Sequence, residues 1–432
     1  MSVISSVHGR QVFDSRGRPT VEVEVGLDNG VVARASVPSG ASTGTYEAHE
    51  ARDGDMDVFD GLGVLSAVGH VNGEIAAALR GRDPGDQRGC DTLLRELDGT
   101  ATLARLGANA VLGTSLAVCR ASAVASGQPL YRRIAELAGV TAPTLPMPMV
   151  NILSGGLHAG RGMDVQDFLA VPVAATSVLE AIRLVARVRA SAAEVCAERG
   201  LPTLLADEGG LSPGCRTGRD ALELFCAAVE RAGLTPGMDI AIAIDVAATA
   251  LFDPATGEYH LRREGRRVGT AEMIETVASW VDDFPVLSVE DALDEEDWAG
   301  WRTLTERLGG RVHLIGDDLF TTNPRRLAQG VQQGCANGVL VKLNQNGTLS
   351  GTLDVVAAAT AAGYVPVVSA RSGETEDDFL ADLAVGTAAG QIKVGSVRSS
   401  ERLAKYNQLV RIAEDRTLRF SPLPVPGLEP AQ

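Results

Sequence analysis

Residues 240–248 read IAIAIDVAA, an apolar run without polar interruption that closes on one carboxylate, Asp245. A strand with one wet face alternates apolar and polar residues, whereas a strand covered on both faces stays apolar throughout. The stretch therefore predicts a buried parallel strand whose end carries chemistry. Seven further runs share this build: FLAVPVA (168–174), PTLLADEGG (202–210), VLSVEDA (286–292), VHLIGDD (312–318), GVLVKLNQ (338–345), VPVVSARSG (365–373) and GQIKVGS (390–396). Each precedes a helical stretch. Eight such units predict an α/β fold, a (β/α)8 barrel, in which the strand ends converge on one mouth. Asp245, Glu290, Asp317, Lys342, Arg371 with Ser372, and Lys393 each close a different run.

Upstream the pattern differs. PTVEVEVGL (19–27) and VVARASV (31–37) alternate and flank Asp28-Asn29-Gly30, a hairpin signal. Apolar residues at helical spacing follow around 64–79 and 108–126. The stretch TAPTLPMPMVN (141–151) holds three prolines, which suit an extended connector. The chain, 432 residues long, exceeds the usual single core, so two domains are expected. Residues 1–140 form a smaller α+β unit carrying a lid loop, and residues 141–432 form the barrel.

A formal net charge of −16 opposes a phosphate backbone and argues against nucleic-acid binding. No run of 18 apolar residues and no early apolar leader is seen, so a cytoplasmic protein acting on a small molecule is expected, with no membrane partner. The six cysteines lack C-x-x-C spacing, which argues against a disulfide framework or a zinc site. Of 39 basic residues only three are lysines: Lys342, Lys393 and Lys405. Lysine can shed its proton within reach of physiological pH and arginine cannot.

One acid at a strand end often caps a helix or pairs with an arginine. Three at separate ends, Asp245, Glu290 and Asp317, suit a hard cation such as Mg²⁺. Beside such a cation an ammonium is discouraged from keeping its proton, so Lys342 or Lys393 can serve as a base toward a proton next to a carboxylate. Lysine base plus Mg²⁺ is a known pairing for taking a proton beside a carboxylate. Glu208 with Asp207, and Gln166-Asp167, offer carboxyls for the leaving group, although an Asp-Glu-Gly-Gly turn is commonplace. Arg371 with Ser372 offers an anion seat. The loop PSGASTGTYEAHE (38–50) has a lid's composition, with Ser42 able to reach a metal, and His158 lies in a loop near the mouth.

In order along the chain, DSRGRPTVEVEV, VPSGASTG, HAG, DEGG, AIDVAA, SVED, GDDL, VKLNQ, RSGETED, GQIK and SERLAKYNQL together resemble the enolase family over essentially the whole length. The resemblance implies a modified barrel whose first units depart from regular alternation, a homodimer or higher homo-oligomer, and two Mg²⁺ ions. It implies Asp245, Glu290 and Asp317 as ligands of the first ion and Ser42 at the second. Lys342 becomes the base, Lys393 the residue that binds the substrate carboxylate, and Glu208 and Asp167 the acid-side carboxyls. Arg371 and Ser372 become the phosphate site, and His158 and Gln166 line the pocket.

The departures fall in that pocket. Asp167 stands where enolases carry Glu, Ala370 where they carry His, Ser154 where Asn is usual, Ala292 for Pro and Asn346 for an apolar residue. Ala370 opens space beside the anion seat. A phospho- or phosphonoglycerate substrate is expected, and extra bulk on phosphorus suits the gap, as in the enolase-like carboxyphosphonoenolpyruvate synthases of phosphinate natural-product pathways. Ordinary enolase activity is the alternative, and a non-catalytic scaffold a further one.

Overall fold

A computed structural model describes residues 2–40 and 44–420. Three antiparallel strands, β1 (Ile4–Phe13), β2 (Pro19–Leu27) and β3 (Val32–Ser36), open the chain in sequence order. Helices α1 (Gln87–Asp98), α2 (Ala108–Ala125) and α3 (Leu130–Ala138) follow. Helix α2 lies against β2 and β3, and Gly113 makes the approach possible: a Cβ there would stand 2.8 Å from a Val23 methyl. By length and composition α2 alone among the described residues would cross a membrane, yet 83% of it is buried in the protein.

The second part is a closed barrel of eight strands: β4 (Met147–Ser154), β5 (Asp167–Val171), β6 (Ala241–Asp245), β7 (Val286–Glu290), β8 (His313–Gly316), β9 (Gly338–Val341), β10 (Val365–Ser369) and β11 (Gln391–Lys393). They pair in that order, and β11 closes on β4. All neighbours are parallel except β5, which runs antiparallel to both β4 and β6. Two helices, α4 (Val178–Glu198) and α5 (Gly218–Arg231), then separate β5 from β6.

Two expectations need correction. The proline-bearing stretch 141–151 is more than a connector: it contains Thr144–Leu145, a short strand, and the first half of β4. The run at 202–210 is not a barrel strand. It holds one two-residue strand, Leu204–Leu205, which pairs with Leu211–Ser212 just beyond it, outside the closed ring, with both leucines of the first exposed. The barrel count of eight survives because β4 takes its place. Apolar prolyl segments and short exposed apolar runs look alike when only composition is read.

Inside the barrel, Met147, Met149, Leu169, Val171, Ala241, Ala243, Leu287, Ile315, Leu340 and Val367 make an apolar plug separate from the main core. Side chains two residues apart on a strand share a face. Asp245 therefore continues the inward face of Ala241 and Ala243, Asp317 that of Ile315, Lys342 that of Leu340, and Asp167 that of Leu169. The register sets Asp245 beside Glu290, and Lys393 beside Ser369 and Met149. One apolar floor thus carries a ring of charged residues at the mouth.

Candidate active site

A single cavity at the mouth is lined by His158, Gln166, Glu208, Asp245, Asp317, Lys342, Ala370, Arg371, Ser372 and Lys393, among others. Lys393 Nζ donates to Asp245 Oδ2 at 2.8 Å and to both oxygens of Glu290 at 2.8 and 2.7 Å. Lys342 Nζ donates to Asp317 Oδ2, whose other oxygen accepts from Gln345 Nε2 at 2.9 Å. Gln166 Nε2 donates to Asp245 Oδ2 at 3.1 Å. Asp245, Glu290 and Asp317 and both lysines therefore stand in two hydrogen-bonded groups, one on each lysine, that act on one another through charge.

Burial works against both ammonium groups, but carboxylates outweigh it: Asp317 pushes Lys342 up, and Asp245 and Glu290 push Lys393 well up. The neutral amine expected of a base is thus not what this arrangement favours by itself. Either lysine can release a proton readily only when its carboxylate partner is engaged elsewhere. Burial and the charge of Asp245 push the Glu290 carboxyl well up. Burial raises Asp317 as well, yet Lys342 reverses this and the net direction is down.

The turns after the acidic strands are strained into shape. Ala247, Asp291, Thr321 and Thr322 all have φ between 44° and 50°, a region costing about 1 kcal/mol or more per non-glycine residue. Local bonds hold them there. Asp291 accepts from the backbone N–H of Asp317 and of Asp318 at 2.9 and 2.8 Å, and Thr322 Oγ1 donates to Gln345 and accepts from the Lys342 N–H. Burial and then Asp317 lift Asp318, at the cavity edge, to about 7.

At the other wall, Arg371 is 4% exposed and donates to Glu47 at 2.8 Å and to Asn344 at 3.0 Å. Its guanidinium is held in place before any anion arrives. Ser372 lies next to it, within 3.4 Å of Arg16 Nη1. Ala370 lines the same wall, and its N–H donates to the Lys393 carbonyl. Arg402, fully buried, donates to the backbone carbonyls of Arg371, Ser372 and Val394, tying the ends of β10 and β11 together. Lys405 is buried behind this wall against Glu374 and the Thr375 carbonyl. Sequence reasoning missed Glu47, Arg16 and Arg402, although the last stands in SERLAKYNQL, one of the motifs that carry the resemblance.

The third wall holds His158, Glu208 and Asp167. His158 Nδ1 lies 3.6 Å from Glu208 Oε1 and 3.8 Å from Asp167 Oδ2. Glu208 Oε2 accepts from Asn151 at 3.1 Å, and Asp167 Oδ1 accepts from Ser154 at 2.5 Å. Burial and the Glu208 charge hold Asp167 well above the usual carboxylate range. Burial also raises Glu208, but His158, Arg402 and the lysines win and the net direction is down. Two neighbouring carboxyls pushed apart in this way are chemically suited to divide acid and base roles. Asp207 takes no part in the cavity lining.

The donors of Asp245, Glu290 and Asp317 are all oxygen, and the Lys393 ammonium already stands as a positive centre between the first two. That set fits a hard divalent cation better than a soft one. Asp317 also belongs to the group Asp291, Asp317 and Asp318, whose carboxylate oxygens lie within 4.8 Å of one another; Asp245 and Glu290 stand outside that group. Ser42, expected near a second ion, lies outside the described residues.

Residues 4–134 match the family model described as enolase, N-terminal domain, and residues 142–419 match that of enolase, C-terminal TIM barrel domain.

Proposed function

Because this chain belongs to the enolase family and is an enolase-like lyase, we propose that it dehydrates a phospho- or phosphonoglycerate, and specifically that it forms carboxyphosphonoenolpyruvate. Lys342 takes the proton from the carbon beside the substrate carboxylate. Lys393 binds and orients that carboxylate. Asp245, Glu290 and Asp317 would hold Mg²⁺, two ions being expected with Ser42 at the second, and bound Mg²⁺ stabilises charge that builds on carboxylate oxygens. The C3 hydroxyl then leaves as water, its proton supplied from the Glu208, His158 and Asp167 wall, and a carbon–carbon double bond forms. Arg371 and Ser372 hold the phosphorus group.

One observation carries the specialised reading: Ala370, a side chain with only a methyl group, lines the cavity next to Arg371 and Ser372. A larger residue there would fill the space that a carboxylate on phosphorus needs. A homodimer or higher homo-oligomer of cytoplasmic location belongs to the same reading.

The test is a panel of plain and carboxyphosphono glycerates with Mg²⁺, followed by enol absorbance. Turnover is expected to favour the carboxyphosphono compound. Turnover of 2-phosphoglycerate at an ordinary enolase rate would instead leave the protein a glycolytic-type enolase, a reading that the intact lysine and carboxylate network also supports.

A further inference from the structure

Ser154 and Asp167 face each other across β4 and β5, and both are fully buried. The Ser154 hydroxyl donates to Asp167 Oδ1. It is confined from behind: a Cβ on Gly210 would lie 2.2 Å from it, so nothing larger than glycine fits there. Asp167 Oδ2 and His158 Nδ1 have no hydrogen-bond partner among the described residues, and they point at one another across 3.8 Å. Glu208 repeats the scheme, with one oxygen fastened by Asn151 and the other 3.6 Å from the same ring nitrogen. The two carboxyls differ in one respect. Glu208 borders the cavity, whereas Asp167 exposes no surface to it.

Resting on the dehydration reading above, we infer that Ser154 is a positioning residue: it holds Asp167 back from the cavity with its free oxygen aimed at His158. Only Glu208 and His158 then meet the leaving hydroxyl, and Asp167 acts through the imidazole. A short carboxyl at 167 and a small hydroxyl at 154 are thus one device. An aspartate free of the serine could rotate its carboxyl, and the ring would lose the group that orients it.

Three measurements on Ser154→Ala decide this, each made with the full chain and Mg²⁺ where substrate is present. Exchange of the substrate α-proton in D2O, which needs only the lysine side, should stay within about two-fold of wild type, as should KM. The kcat for elimination should fall about 10- to 100-fold, the usual cost of losing a supporting hydrogen bond behind a working ligand or base. Ser154→Thr, which keeps the hydroxyl, should recover most of it. Without substrate, the ¹⁵N resonance of the His158 ring, assigned by comparison with His158→Gln, should shift in Ser154→Ala and in Asp167→Asn.

Unchanged elimination, exchange and elimination falling together, or an unmoved His158 resonance would each overturn the inference. If wild-type protein neither exchanges nor eliminates with any glycerate, the dehydration reading fails instead. The histidine resonance still judges whether Ser154 orients the Asp167–His158 pair.

Discussion

On the lysine side of the cavity, charge meets charge: Lys393 lies between Asp245 and Glu290, and Lys342 on Asp317. On the histidine side, Asp167 Oδ2 and His158 Nδ1 are buried without hydrogen-bond partners among the described residues. The first wall is a set of opposite charges whose mutual attraction offsets much of their desolvation, and exchanging any member leaves a buried charge uncompensated. The second is set by packing, where a serine, a glycine and a short carboxyl decide where one ring points. Such a wall can be retuned by small substitutions without dismantling the first. The departures from the enolase pattern at 154, 167 and 370 fall away from the lysine–carboxylate wall, while Ala292 and Asn346 lie on its side, behind Glu290 and Lys342; the wall keeps all its charged members.

The largest effect should come from breaking the first wall. Lys342→Ala is expected to lower turnover by about 10⁴-fold, the upper range for loss of a general base, with the far-UV circular dichroism spectrum retained. Persistent exchange of the substrate α-proton in this variant would remove Lys342 from the base role and, with it, the division between the walls.

A second effect comes from outside both walls and must be separated from them. Asp382 is buried, accepts from the Tyr131 N–H and from Gln408, and is pushed up to about 7, chiefly by burial. An unfolded aspartate titrates near 4. The folded state therefore keeps this proton while the unfolded state loses it, and stability should decline as pH rises from about 4 to 7, by at most roughly 4 kcal/mol. Urea unfolding at pH 5 and pH 8 measures it, and Asp382→Asn should flatten the difference. An equal slope in the variant would assign the pH effect to the cavity acids instead.

Next in size is the seam behind the anion seat. Arg402→Ala removes the guanidinium donor from three buried carbonyls, although that of Ser372 keeps another, Ser15 Oγ at 3.4 Å. The loss should cost about 2–4 kcal/mol in chemical unfolding. It should also raise KM for phosphorylated substrates more than it lowers kcat. A loss confined to stability would make the seam purely structural.

The smallest change should come from rebuilding the histidine side together with the anion seat. Ala370→His with Asp167→Glu is expected to raise kcat/KM on 2-phosphoglycerate by about ten-fold, or about 1.4 kcal/mol. No gain would mean that these two positions do not set substrate choice.

Much of the first wall was legible in the chain. Asp245, Asp317 and Lys342 each extend an apolar run by the two-residue period of a strand, so the inward face can be followed from Leu340 to Lys342 without coordinates. Glu290 instead stands three residues past the inward Leu287, where β7 shifts register at 286–288, and Lys393 follows a polar Gln391. The second wall was harder to read because β5 runs backwards. In a parallel strand the mouth residue ends the run, but Asp167 begins one, and Gln166-Asp167 stands before FLAVPVA instead of after it. Lysine scarcity was a partial guide: Lys342 and Lys393 lie in the cavity, whereas Lys405 is a buried partner of Glu374. Ser154 was visible as a departure, yet nothing in its neighbourhood of sequence linked it to a residue on another strand.

Sequence alone determined the kinds of groups available and the face each would take, since alternation along a strand is a local, covalent property. Tertiary structure decided which group meets which. Asn151 with Glu208, Arg402 with the carbonyls at 371, 372 and 394, and Glu47 with Arg371 are matched only when the barrel closes. Distances between strands are set by register and packing, and no stretch of chain short enough to read by eye contains them.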